Sequence, residues 1–272
     1  MALKKTKSLD TITDKKLSIQ ISLSGLSFCV LNTASNSITN FEHIPFDKKN
    51  NPYEALERIM HYFDIRDYLK TVFDDILVIH ENELSTLVPK PLFNADYLAD
   101  YLKFNSKILK SDVLCYDTLE VNDSVNVYVP YINVNNYIYE AFGEFTFKHY
   151  STLLVEEVLK LEKENSTSKV YAHITAHHFE IIALERNKLN LYNTFEYDNP
   201  EDFIYYLLFT IEQLGYNPET IHLVLIGNVA LEDDLYNIAY KYIRNISLHQ
   251  GNITIPNDRD SKYSNFIIAN SF

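Results

Sequence analysis

Three histidines fall within six positions, His173, His177 and His178, in the stretch VYAHITAHHFEIIALE. Imidazole nitrogens are zinc ligands, but a tetrahedral zinc site needs three or four ligands with oriented support behind them. The stretch reads as strand, and alternation puts His173, Thr175 and His177 on one face with His178 on the other. A hairpin turn near Ala176 and His177 loosens that alternation and makes both exposed loop positions. Two histidines without a neighbouring Cys or carboxylate motif make no zinc site, so no metal is expected. The sequence has no H-E-x-x-H, no cysteine pair at metal spacing and no G-x-S-x-G elbow. Its carboxylates gather as Asp74-Asp75, Glu81 with Glu83, and Glu232-Asp233-Asp234. Each group lies beside a strand end or helix start, where capping or solvation is the expected role. Ser85 and Thr86 have no sequence context for an activated nucleophile. No catalytic residue is assigned, and a hydrolase with an unrecognised site is the weakest of three readings.

The elements that must position these residues follow a mixed α/β pattern. Residues 17–31 alternate around Gly25 as a hairpin, and a third strand follows at 37–44. Asn51-Pro52-Tyr53-Glu54 supplies an N-cap, a proline at the first helical position and an early acid, which predicts a helix to about Thr71. The run DDILVIHE then reads as a strand buried on both faces. The order βββαβ returns with strands at 170–175, 179–184 and KLNLYNTFEY. Asn199-Pro200 next starts a helix ending at Gly215, and TIHLVLIGN is the closing strand. The inward stripe of that helix is Phe203, Leu207, Leu208, Ile211 and Leu214. Between the units, a helix is expected at about 133–142 among lobe-specific strands, and another at 151–164. KENSTSK is the candidate hinge.

The halves align without a gap over their first two strands, with Gln20 on His173, Ile21-Ser22 on Ile174-Thr175 and Leu26 on Phe179. Pro52 then meets Pro200, and Val78-Ile79 meets Leu225-Ile226. A duplicated βββαβ unit resembles the two RNase H-like lobes of the actin, sugar-kinase and heat-shock-protein superfamily, whose nucleotide sits between lobes. At closer range LVPKPLF, EDFIYYLLFTIEQLG and YIRNI resemble the family numbered 3822 among domains of unknown function, a bacterial group, from about residue 17 to the C-terminus. The layout is more distantly similar to the actin-like proteins of type IV pilus assembly and to the cytoplasmic domain of the type II secretion L-protein. The expected division is a flexible segment 1–16, a first lobe 17–163 with an insert, and a second lobe 164–272.

The superfamily resemblance implies a test. Active members carry an acid, one apolar position and a glycine on the first strand of each lobe, for magnesium and for close backbone approach to phosphate. Here those positions read Gln20-Ile21-Ser22 and His173-Ile174-Thr175, so both acids and both glycines are replaced. The whole chain has 5 glycines, and the adenosine-side loop offers only Gly227 in LIGNVALEDDL. The resemblance therefore implies an actin-like ATPase fold with degenerate nucleotide motifs. Gln20, Ser22, His173, Thr175, Gly227 and Asn228 are its candidate ligand-binding residues, with no cofactor expected.

Composition bounds the partners. Of 272 residues 46% are hydrophobic, enough for a sizeable core, and a net charge of −13 disfavours nucleic acid. The basic start MALKKTKSLD has no apolar run behind it, so neither export nor membrane insertion is expected. Cys29 and Cys115 suit free thiols in a reducing cytoplasm. With 21 tyrosines and no tryptophan, the chain concentrates aromatics in NVYVPYINVNNYIYEAFGEFTFKHY and FEYDNPEDFIYYLLF, the latter leading into the helix at Pro200. Tyr205 and Tyr206 lie off that helix's apolar stripe and are candidates for a partner surface or inter-lobe packing. The favoured reading is a non-catalytic cytosolic scaffold or adaptor for a protein partner. The alternative is a nucleotide or small-ligand binder with little or no ATPase activity.

Overall fold

The computed structural model describes residues 13–163, 167–249 and 265–272. Residues 1–12 of the expected flexible start and part of the expected hinge lie outside these. The first hairpin forms as its alternation requires, β1 (Lys15–Ile21) pairing antiparallel with β2 (Gly25–Asn32), which pairs with β3 (Ser37–Pro45). Helix α1 (Pro52–Ile65) starts on a complete capping box, with Asn51 Oδ1 accepting from the N–H of Tyr53 and Glu54 and Glu54 returning to the N–H of Asn51. It stops six residues short of Thr71, because Arg66 turns extended and residues 67–70 form a separate 3₁₀ turn. β4 (Asp75–His80) then lies parallel to β1.

An insert follows: β5 (Ser85–Pro89), α2 (Leu98–Leu102), β6 (Cys115–Leu119) and β7 (Ser124–Tyr128), whose strands form their own three-stranded sheet in the order β5-β7-β6. Helix α3 (Ile132–Phe142) and strand β8 (Thr146–His149) return to the first lobe. β8 was expected as a lobe-specific strand; instead it pairs parallel with β4 and completes the main sheet, β3-β2-β1-β4-β8. Helix α4 (Tyr150–Leu161) leads to the second unit, β9 (Lys169–Ile174), β10 (His178–Glu185), β11 (Lys188–Glu196), α5 (Pro200–Gln213), β12 (His222–Gly227), α6 (Asp234–Tyr242) and β13 (Asn245–Leu248). Its sheet, β11-β10-β9-β12-β13, repeats the first in order and direction. The register repeats as well, Gln20 pairing with Ile79 and His173 with Ile226.

Each sheet is apolar on both faces because each is covered twice. Leu17, Ile19, Phe28 and Val78 pack with Ala55, Ile59 and Phe63 of α1 and with Ile138 of α3. Ala172, Phe179, Ile181 and Leu225 pack with Phe203, Leu207 and Ile211 of α5. The inner faces share a third core, in which Leu154, Val155 and Val158 of α4 and the last helix α7 (Phe266–Ala269) meet Cys29 and Ile79 from one sheet and Tyr171, Ile182 and Ile226 from the other. At ~25 cal/mol per Å² of apolar area, this shared core is what fixes the two sheets against each other. Both cysteines are free thiols, and burial pushes the Cys29 pKa up to about 12.

Candidate functional site

Beside the first residues of α4 and α7 the inner faces separate, and a cavity of about 540 Å³ opens between the lobes. Five of the six residues expected there line it, Gln20, Ser22, His173, Thr175 and Asn228. Gly227 does not: its φ is +97°, and a Cβ built on it would stand 2.2 Å from the carbonyl oxygen of Ile174. That glycine lets β12 end tightly against β9, and the Asn228 N–H donates to the same Ile174 carbonyl at 2.7 Å. Glu81 stands at the equivalent place in the first lobe, its N–H donating to Ile21 at 2.9 Å.

Ser22 and Thr175 are occupied by their own turns. Thr175 Oγ1 donates to the His178 carbonyl at 2.8 Å, and Ser22 Oγ donates to the Gly25 carbonyl at 3.2 Å. These are the local side-chain to backbone bonds that short hydroxyl residues favour.

The turn changes the geometry of the histidines. Because the Thr175 N–H closes on the His178 carbonyl at 2.9 Å, β10 begins afresh at His178 and the alternation carried over from β9 is lost. The expectation that His173 and His177 share a face, with His178 opposite, is therefore overturned. His177 is exposed at the turn, while His178 and Glu180 share the inner face and Glu180 pairs directly with His173 across the strands. Glu180 Oε2 lies 2.9 Å from His173 Nδ1 and Oε1 lies 3.0 Å from His178 Nε2. The Tyr150 hydroxyl from α4 sits 2.9 Å from His173 Nδ1. Glu180 is only 2% exposed, so its charge requires this company. Burial opposes that charge, but His178 and His173 outweigh it and hold the Glu180 pKa down to about 2. Burial likewise opposes charging His178, and Glu180, reinforced by Glu81 and Glu196, raises its pKa to about 9. At neutral pH the pair is an imidazolium and a carboxylate.

Glu81, expected to be a solvated or capping acid, instead accepts from Gln20 Nε2 at 2.8 Å and faces His178 Nε2 across the lobes at 3.8 Å. Lys49 spans the same gap, 3.8 Å from Glu83 and 4.0 Å from Glu196. The cleft carries Gln20 and His173 on its two first strands, yet it is not acid-free. Glu81, following β4, and Glu180, on β10, bring carboxylates in from neighbouring strands. Sequence reasoning passed over Glu180, although a lone acid inside HFEIIALE, directly opposite His173 once the hairpin is drawn, was a readable signal. Among the described residues, no group of three or more His, Cys, Asp or Glu side chains is arranged to hold a metal ion. Of the two tyrosines singled out, Tyr205 is 62% exposed and stacks on Phe209, whereas Tyr206 packs inward on Phe195 with ring centroids 4.9 Å apart.

Residues 4–246 match the family described as "Protein of unknown function (DUF3822)". The chain belongs to that family. The match begins earlier and ends earlier than the sequence motifs suggest. A Bacteroides thetaiotaomicron protein with an actin-like ATPase fold and unknown function is 24% identical, covering 87% of this chain and 91% of its own, with a TM-score of 0.79. A chain of the PilM–PilN type IV pilus biogenesis complex is 12% identical over 86% of this chain and 88% of its own, with a TM-score of 0.55. The cytoplasmic domain of EpsL, an inner membrane component of the type II secretion system of Vibrio cholerae, is 12% identical over 89% and 88%, with a TM-score of 0.43. No curated protein matches. The first two likenesses establish an actin-like ATPase fold, with two lobes of matching strand order. No helix among the described residues is long and apolar enough to cross a membrane.

Proposed function

We propose that this protein, divided into lobes at 17–163 and 164–272, binds a small polar ligand between them with little or no turnover of ATP. The observation that carries this reading is the open cavity of about 540 Å³, the size of a small-molecule site, with polar groups converging on it from both lobes. A cleft kept only as a relic would fill with its own side chains. Three features argue against a nucleoside triphosphate held in the superfamily manner. Ser22 and Thr175 spend their hydroxyls on turns, Glu180 is neutralised by His178, and Gly227 serves strand packing. The test is thermal unfolding of the full chain with millimolar nucleosides, nucleotides with magnesium, amino acids and amines. Saturation at a hundredfold over Kd raises the melting temperature by roughly 5 °C, by mass action. Thr194→Trp, which fills the cavity, abolishes the rise; if no compound raises the melting temperature, the reading fails.

A second reading, a cytosolic scaffold for a protein partner, is favoured by the outward Tyr205–Phe209 stack on α5. The likeness to a chain of the PilM–PilN type IV pilus biogenesis complex is in keeping with that reading, though a shared fold does not transmit function.

A further inference from the structure

The insert carries apolar side chains that its own core does not use. Leu102, Ile108 and Leu114 turn inward to Val88, Val125 and Val127, and they suffice to anchor the loop after α2. Between them Phe104 is 82% exposed and Leu109 is 63% exposed. Both are held outward by turns. The N–H groups of Asn105 and Ser106 donate to the Leu102 carbonyl at 3.1 and 2.8 Å, while the Leu109 N–H donates to Asp112 Oδ2 at 2.7 Å. A frayed loop would not need such bonds.

Residues 103–110, KFNSKILK, contain three lysines and no acid, flanked by Asp100 and Asp112, in a chain whose net charge is −13. All three lysines are exposed. Lys103 pairs with Asp100 at 2.8 Å and lies 5.2 Å over the Phe104 ring, but Lys107 and Lys110 have no ion-pair partner among the described residues. Lysines alternating with protruding apolar tips suit a fluid anionic surface that admits the tips and meets the ammonium groups with phosphates.

We propose that the loop at 103–110 docks this protein on an anionic lipid surface, with Phe104 and Leu109 entering the headgroup region and Lys107 and Lys110 meeting lipid phosphates. The attraction acts within a Debye length, so Asp100 and Asp112 at the ends of the strip offset part of it while the more distant acids weaken it only modestly at physiological salt. Docking is peripheral and reversible, as a short strip without a spanning helix dictates.

The test is co-sedimentation of the full chain with vesicles of phosphatidylcholine alone or mixed with phosphatidylglycerol. The wild type sediments with the mixed vesicles only, and less so as salt rises. Lys107→Glu with Lys110→Glu lowers the partition coefficient at least about 25-fold, counting roughly fivefold for each lysine lost near such a surface. Phe104→Ser with Leu109→Ser also abolishes sedimentation. Both double variants keep the wild-type melting temperature, because the altered side chains are exposed. Equal binding to both vesicle types, or wild-type binding by both variants, overturns the proposal. So does a wild type that binds neither, the result expected if the strip serves an acidic protein instead.

Discussion

Replacing Glu180 with Gln removes the carboxylate on which the inner-face histidines converge while keeping its size. The His178 pKa stands at about 9 against a reference of 6.5, a difference that at ~1.4 kcal/mol per unit corresponds to about 3 kcal/mol favouring the protonated form. Glu180 moves from 4.5 to about 2, a similar figure for the same interaction, to be counted once. The raised His178 pKa contributes stability that is full below pH 6.5 and is lost as pH rises through 9. The depressed Glu180 pKa contributes stability present above pH 4.5 and lost as pH falls through 2. The pair is therefore worth most between pH 4.5 and 6.5. Urea unfolding of the wild type at pH 6 and pH 9.5 loses about 3 kcal/mol that Glu180→Gln does not lose, and the variant is already less stable at pH 6 by a similar amount. A proton NMR titration reads the site directly: His178 titrates near 9 in the wild type and well below that in the variant, where only Glu81 and Glu196 still oppose burial. A wild-type His178 titrating at 6.5, or equal pH dependence in both proteins, refutes the account.

Two other histidines drive acid sensitivity. His80 Nδ1 accepts the Tyr131 N–H at 3.3 Å and Nε2 faces Asn135 Oδ1 at 2.9 Å, so the ring sits neutral, and burial lowers its pKa to about 4. Burial lowers that of His149 to about 3. Their contribution is present above pH 6.5 and falls away below it, by up to ~3 kcal/mol per pH unit for the two together, a slope that His80→Gln halves in urea titrations from pH 6.5 to 4.5. Gly227→Ala drives a Cβ into the Ile174 carbonyl and should cost at least about 3 kcal/mol, seen as a fall of roughly 6 °C or more in melting temperature or as insoluble protein. Tyr205→Ala with Phe209→Ala shifts the melting temperature by less than ~2 °C, since both rings are largely outside the core. If the scaffold reading holds, that same variant loses its partner in pull-downs.

Local rules made the frame of this protein readable. The Asn51 and Asn199 caps, the strands at 17–31, 170–175 and 179–184, and the apolar runs at β4 and β12 are set by neighbours within a few residues, and the structure keeps each of them, though not the strand phase across the turn at 175–178. Matching halves with one strand order follow from these signals laid end to end. The replaced acid and glycine positions at Gln20-Ile21-Ser22 and His173-Ile174-Thr175 were visible for the same reason.

The chemistry of the cleft was decided at longer range. His178 changed faces because a hydroxyl turn reset the strand phase. Glu180 became ionised and Tyr150 came within 2.9 Å of His173 because a hairpin register and a helix from the lobe boundary meet there. Glu81 reaches His178 only across two lobes whose sequence separation is about a hundred residues, a contact that no local pattern encodes. The sequence by itself determined which strands and helices form and which residue types stand at Gln20-Ile21-Ser22 and His173-Ile174-Thr175, since these depend on backbone propensity and residue type. Tertiary structure alone decided that the cleft stays open and which charges share it, because those depend on how the covered sheets pack.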